Sequence, residues 1–372
     1  MLPAAVGLDS TARFRPEVEG LRAIAVVLVL LYHAKLGGVV GGYIGVDVFF
    51  VLSGFLITAL LMRELATTGT VSLVGFWARR ARRLLPASGL VVVATLVAGR
   101  LMLDGLSQGD LARDAIAASA FIANFRFFNV GTDYLAEGQA TSPLLHFWSL
   151  AVEEQYYLVW PGLMLLLVKY ARLARHALLA VLGLMWVGSL VLCVRATSDQ
   201  PMWAFFMLPA RAWELLSGAM LAVVGGSLWK GANRLKAVLA YAGLGSIIGA
   251  ALAYNDSTVF PGLAAVVPVI ATVAVINAGS VGGASLLLRN AALQWIGARS
   301  YAIYLWHFPV LLLAEAKYGP LNAYTRGALV LGAVALAALS FRLLENPVRF
   351  APKLVASPSR SLVMGASVAL VG

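Results

Sequence analysis

Arg22 and His33 stand eleven residues apart in the otherwise apolar run RPEVEGLRAIAVVLVLLYHA. On a helix that spacing is three turns plus about 20°, so both side chains leave one face, roughly 16 Å apart. An arginine fork matches phosphate oxygens, and a histidine can serve as a base near neutral pH. Asp47 opens the run GGYIGVDVFFVLSGFLIT. It either marks the outer end of a span or orients His33, leaving the other ring nitrogen free as a base. Arg79 and Arg82, in FWARRARRLLP, share a helix face. They form either a cytoplasmic positive cluster or a phosphate clamp. In SPLLHFWSLAVEEQYYLVWP, His146, Glu153 and Tyr157 fall on one stripe, with Glu154 beside it. Arg211 and Glu214 are three apart in RAWELLSG and can pair with each other. His307, in YAIYLWHFPV, follows Tyr304 at helical spacing. It belongs either to an interfacial aromatic belt or to a site.

These groups stand out because the rest of the chain is apolar. Of 372 residues, 61% are hydrophobic and 12% charged, against about 25% charged in soluble domains. The lipid bilayer is therefore the expected solvent, and ionisable groups inside it are functional candidates by default. The formal charge of +11 is dispersed in short clusters between apolar runs, which speaks for membrane topology and against nucleic acid as a partner. Cys193 is the only cysteine and lies in an apolar run, where a packed side chain is expected. The sequence holds no Walker-type loop, no HExxH and no GxSxG elbow. Nothing in the spacing of its four histidines selects a metal.

A crossing helix takes about 20 apolar residues. The expected fold is all-α: a polytopic transmembrane helical bundle with ten complete spans. They lie near 21–38, 43–65, 84–104, 145–168, 176–195, 204–226, 236–254, 259–278, 298–316 and 323–343. An eleventh begins near 361 and reaches Gly372 unfinished, which reads as a fragment of a longer chain. With the N-terminus cytoplasmic, 20 of the 28 Lys and Arg fall inside. The long outer segment 105–144 is acidic, with Asp104, Asp110, Asp114, Asp133 and Glu137 in or beside it. Its apolar stretch 115–128 is too short to span easily and is expected at the interface or as a re-entrant piece. Gly245 and Gly249 form a small-xxx-small pair suited to close helix packing.

Taken together, RPEVEGLRAIAVVLVLLYHA, GGYIGVDVFFVLSGFLIT, FWARRARRLLP, SPLLHFWSLAVEEQYYLVWP, RAWELLSG, YAIYLWHFPV and ENPVR resemble the acyltransferase-3 membrane proteins of bacteria, over about residues 13–350. These are similar to O-acetyltransferases of O-antigen, peptidoglycan and other surface glycans. The resemblance implies transfer of an acyl group, usually acetyl, from cytoplasmic acyl-CoA to a hydroxyl of an extracytoplasmic acceptor. The acceptor would be a surface glycan or a lipid-linked glycan, and the location the plasma (inner) membrane among its lipids. The family's Arg-x10-His pattern falls on Arg22 and His33, and its Arg-x-x-Arg pattern on Arg79 and Arg82. Residues 1–353 would form the acyltransferase-3 domain. Residues 354–372 would be a linker and the start of a helix leading to an extracytoplasmic SGNH-type domain.

The expected division of labour follows. Arg22, Arg79 and Arg82 hold the acyl-CoA (acetyl-CoA) phosphates. His33 acts as general base or as acyl carrier, and Asp47 or Glu154 orients it or takes its proton. His146, Glu153, Tyr157 and His307 complete the site, and no metal takes part. Two other classes stay open. A transporter of a small molecule or lipid-linked sugar would show flux without CoA dependence. A non-catalytic envelope scaffold would tolerate loss of the intramembrane charges.

Overall fold

In a computed structural model, residues 15–132, 134–135, 142–225, 228, 233–279 and 283–371 are described. Arg13, Asp133, Glu137 and Lys230, counted in the charge ledger above, lie outside them. Every regular element among the described residues is helical. In chain order they are α1 (Pro16–His33), α2 (Gly45–Thr68), α3 (Leu73–Met102), α4 (Gly105–Ser119), α5 (Ala123–Asn129), α6 (Phe147–Leu165), α7 (Arg175–Asp199), α8 (Pro201–Phe206) and α9 (Leu208–Val223). There follow α10 (Asn233–Ala253), α11 (Val266–Ala278), α12 (Gly283–Leu288), α13 (Ala291–Ala298), α14 (Ser300–Tyr318), α15 (Ala323–Ser340), α16 (Asn346–Arg349), α17 (Pro352–Val355) and α18 (Pro358–Val371).

Five described helical stretches are long and apolar enough to cross a membrane: Gly42–Thr68, Leu73–Met102, Arg175–Asp199, Asn233–Ala253 and Ala323–Arg349. Two of the other expected spans fall short of that length for local reasons. The run 204–226 is broken at Met207, which is extended just before Pro209 and separates α8 from α9. The run 259–278 begins with turns around Phe260–Pro261, so its helix is only the 13 residues of α11. Helix α3 starts at Leu73 instead of 84, because Ser72 caps it by accepting from the Gly75 amide. The arginine cluster 79–83 thus belongs to that helix, where arginine propagates a helix well. The outer segment carries α4, capped by Asp104 through the amides of Leu106 and Ser107, and then α5. Those amides hold the exposed Asp104 carboxyl below its ordinary value, Ser107 contributing most.

The chain divides into two compact units. The first comprises Met1–Val29, Val40–Val71 and Tyr156–Ala298; the second comprises Leu30–Val39, Ser72–Gln155 and Arg299–Gly372. In the first, α2 packs on α9, α7 on α9 and α10 on α11. The α2–α9 approach is close because two glycines face backbone. A Cβ at Gly54 would land on the Leu215 carbonyl, and one at Gly218 on the Val51 carbonyl. The Gly245–Gly249 pair does not do this. Both are exposed, and a Cβ at either meets nothing within 4 Å. The close contact of α10 is made by Gly243, whose Cβ would lie 2.7 Å from the Ala271 carbonyl oxygen. Cys193 is buried and free, as a packed side chain.

In the second unit α3 packs on α4, α14 and α18, and α14 on α15. Gly365 of α18 sits against Leu85 and Ala81. The apolar residues left exposed, such as Leu184, Val187, Leu252, Leu331 and Leu339, are suited to a lipid environment. Gly54→Val is expected to lower the thermal midpoint of the detergent-solubilised protein through overpacking worth about 1–3 kcal/mol. Gly245→Ala should leave it unchanged or raise it slightly. A size-exclusion thermostability assay checks both, and an unaffected Gly54→Val would contradict this packing.

Candidate functional site

The second unit gathers three of the four histidines. His33 ends α1, His307 lies midway along α14, and His146 directly precedes α6. Ring centroids are 5.0 Å apart for His33–His307 and 5.6 Å for His146–His307. Phe308 lies against both His33 (4.6 Å) and His146 (5.1 Å). His146 and His307 are fully buried, and His33 is partly exposed.

Hydrogen bonds fix the proton positions in these rings. His307 Nδ1 lies 2.6 Å from the carbonyl oxygen of Tyr304. A carbonyl only accepts, so Nδ1 carries the hydrogen, and in the neutral ring Nε2 is the acceptor. His33 Nδ1, 2.8 Å from that Nε2, must therefore donate to it. This leaves His33 Nε2 as the acceptor, and the Tyr134 hydroxyl donates to it at 2.7 Å. The series runs in one direction: Tyr134 O–H to His33, His33 N–H to His307, His307 N–H to the backbone. Withdrawal from water raises the Tyr134 phenol well above its ordinary value, with Tyr304 and Tyr32 adding to the effect. The phenol is thus a proton donor that needs a base to become a nucleophile.

Helix α14 places His307 and anchors His146 through one defect. Pro309 has no N–H, so the carbonyl of Leu305, four residues earlier, loses its helical donor. His146 Nε2 supplies the replacement at 3.1 Å. The His146 carbonyl in turn receives the Tyr304 hydroxyl at 3.1 Å, and Ser149 Oγ lies 2.8 Å from that hydroxyl. Five of the six ring nitrogens are engaged, which leaves this trio poorly suited to a metal. Among the described residues no group of histidines, cysteines and carboxylates is placed to hold one.

The remaining expected site residues distribute differently. Asp47 does not take a nitrogen of His33, since both are occupied by His307 and Tyr134. Its partner is Arg211, at 3.0 Å, and Arg211 also reaches Glu214 at 3.1 Å. All three are buried in the first unit, with the Phe50, Phe205 and Phe260 rings 5.5–5.8 Å from the guanidinium carbon. The sequence suggested the Arg211–Glu214 pair; the structure adds Asp47 as its third member. Arg22 pairs locally with Glu19 at 3.3 Å. Arg79 is exposed on α3. Arg82 is turned inward, donating to Ser361 Oγ at 2.8 Å and to the Leu354 carbonyl at 3.2 Å, so the two arginines of the expected clamp are not equivalent. Glu153 lies 3.9 Å from Arg80, and Glu154 is within electrostatic reach of Arg80 and Arg83. Tyr157 is buried in the first unit beside Tyr156. The expected stripe is therefore split: His146 joins the histidines, Glu153 joins α3, and Tyr157 joins neither.

Sequence reasoning passed over Tyr134. It is the one tyrosine of the outer segment 105–144, and that isolation was the available signal.

Residues 15–343 match the acyltransferase-3 family model, described as an acyltransferase domain. The chain belongs to this family. Three relatives illustrate its membership. The peptidoglycan O-acetyltransferase OatA of Listeria monocytogenes is 34% identical over 359 residues, covering 91% of this chain and 56% of the relative. The putative peptidoglycan O-acetyltransferase YrhL of Bacillus subtilis is 33% identical over 351 residues, covering 91% and 55%. The O-acetyltransferase OatA of Staphylococcus aureus is 31% identical over 352 residues, covering 91% and 57%. The chain spans a little over half the length of these relatives. No solved structure matches it. Family and apolar helices together make this acyltransferase-3 chain a multi-pass membrane protein.

The tautomer assignment is testable without turnover. Solid-state NMR of the protein labelled at its four histidines should show His33 and His307 protonated at Nδ1 and His146 at Nε2. A His33 ring protonated at Nε2 would reverse the series and contradict the assignment.

Proposed function

We propose that this protein is an integral membrane O-acyltransferase that moves an acetyl group from cytoplasmic acetyl-CoA to a hydroxyl of an extracytoplasmic cell-envelope glycan, with peptidoglycan the first acceptor to test. The observation that carries the reading is the directed series from the Tyr134 hydroxyl through His33 to His307. A hydroxyl, a base that touches it and a group that orients the base are the parts of nucleophilic acyl transfer. The names of the relatives supply the acetyl group and the glycan. The charge ledger supplies the sidedness, with the N-terminus cytoplasmic in the plasma membrane.

The chemistry balances as follows. Tyr134 attacks the thioester carbonyl while its proton passes to His33 Nε2. The imidazolium keeps its Nδ1–H on His307 Nε2, which faces it as an acceptor. The C–S bond breaks, and His33 returns the proton to the departing thiolate, giving free CoA and acetyl-Tyr134. The acceptor hydroxyl then attacks the aryl ester. His33 takes its proton and gives it to the Tyr134 oxygen, closing the cycle with no net proton. An acyl-histidine form would first have to break one of the two ring hydrogen bonds of His33, so the base role fits the geometry better. At the cytoplasmic end, the exposed Arg79 is the arginine assigned to the CoA phosphates. Arg82, committed to the C-terminal segment, acts on helix placement. Asp47 serves the Arg211 centre, and Glu153 and Glu154 balance the arginines of α3.

Sided proteoliposomes test this reading. Acetyl-CoA supplied only at the face bearing the α3 arginines should acetylate an impermeant glycan at the opposite face. Tyr134→Phe should lower the rate at least about a hundredfold. Transfer that is independent of acetyl-CoA, or unimpaired in Tyr134→Phe, would contradict it.

A further inference from the structure

One buried charge centre of the first unit does not balance. Asp47 and Glu214 both lie against Arg211, at 3.0 and 3.1 Å, with side chains no more than 1% exposed. Arg211 is the one cation that bears on either carboxyl among the described residues. Cys193 of α7 and Tyr254, just after α10, are further titratable groups within electrostatic reach. Neither can supply positive charge. With both carboxyls ionised, the centre would carry one net negative charge between α2 and α9, enclosed by the rings of Phe50, Phe205 and Phe260. An excess carboxylate in such surroundings takes up a proton instead of staying charged.

The hydrogen bonds point the same way. Asp47 Oδ1 accepts from Arg211 Nη2. Asp47 Oδ2 and both oxygens of Glu214 are buried and receive no hydrogen bond from the described residues. Yet the two carboxyl groups stand within hydrogen-bonding reach of each other. Carboxylates only accept, so as ions the two face each other without a donor. One added proton removes the excess charge and turns that contact into an O–H···O bond. The guanidinium decides which carboxyl takes it. Asp47 has the directed, charge-assisted bond and keeps the negative charge. Glu214 has no such bond and carries the hydrogen. We infer that the Asp47–Arg211–Glu214 centre binds one proton, held on Glu214 and donated to Asp47. A metal ion in its place would need several oxygen ligands, and among the described residues no group of histidines, cysteines and carboxylates is placed to hold one. The inference concerns the first unit alone and does not depend on the acyl-transfer reading. It makes Glu214 a neutral hydrogen-bond donor, and the α2–α9 contact a proton-binding site.

Infrared spectroscopy of the 372-residue chain in lipid nanodiscs at neutral pH tests this through the C=O stretch of a protonated side-chain carboxyl. The wild-type spectrum minus that of Glu214→Gln should show the band, and 13C labelling of glutamate should move it. Wild type minus Asp47→Asn should show it too, although Glu214 is still present. A single carboxyl beside Arg211 has no excess charge to shed, so Glu214 ionises in that variant. Each single variant leaves one charge of each sign, and both should keep a thermal midpoint near that of the wild type. The double variant strands Arg211 and should lower the midpoint by more than the two single shifts together. Difference spectra without the band would overturn the inference. In that case, a midpoint that rises with sodium chloride but not with choline chloride would identify a bound cation as the neutralising group. A band that moves with labelled aspartate instead would overturn the assignment to Glu214. So would a Glu214→Gln chain that fails to fold, since glutamine reproduces the shape and neutrality of protonated Glu214.

Discussion

The direction of the hydrogen bonds at this site depends on one backbone carbonyl. Because the Tyr304 oxygen can only accept, His307 must hold its hydrogen on Nδ1. His33 must then donate to His307, and Tyr134 must donate to His33. No carboxylate is needed to set the tautomer, which is the role Asp47 was expected to fill. The same helix solves a second problem with the same residue type. Pro309 removes a donor from α14, and His146 restores it from outside the helix. A proline inside a buried helix costs about 3 kcal/mol or more when its freed carbonyl goes unpaired. Here that defect is what fixes the His146 ring beside His307. Local helix chemistry and site geometry are thus one arrangement.

The first unit is organised by a different kind of constraint. Asp47, Arg211 and Glu214 are buried together, and their helices approach through Gly54 and Gly218. Buried ion pairs give little net stability, but losing one partner costs roughly 3–5 kcal/mol because a charge is stranded. The triad joins Asp47 of α2 to Arg211 and Glu214 of α9, where the two helices pack. Arg82 has a comparable place in the second unit, tying α3 to the Leu354 carbonyl and to Ser361 of α18. An arginine that a sequence motif marks for phosphate can be a structural tie, while its neighbour one turn away stays exposed.

The sequence made the helical class and the membrane setting legible, because apolar runs and clustered arginines are local signals. It also exposed Arg22, His33, His146 and His307, since charged and titratable groups are conspicuous among Leu and Val. What it could not supply was tertiary. His33 and His307 are 274 residues apart and meet only through packing. Tyr134 lies in a polar outer segment, where a tyrosine draws no attention, and its meaning comes from a contact 101 residues away. The breaks at Met207 and around Phe260–Pro261 were hidden because a hydropathy window averages over them. The stripe from His146 to Tyr157 was read from helical spacing, yet His146 precedes α6 and its members face different neighbours. Shared face does not mean shared site.

The proposed reaction turns on Tyr134 as the oxygen that His33 activates. Rapid-quench labelling with radiolabelled acetyl-CoA, without acceptor, followed by peptide mapping, tests this most directly. Acetyl is expected on Tyr134 in the wild type and absent from it in His33→Ala. Label on His33, or label on Tyr134 that persists in His33→Ala, would contradict it.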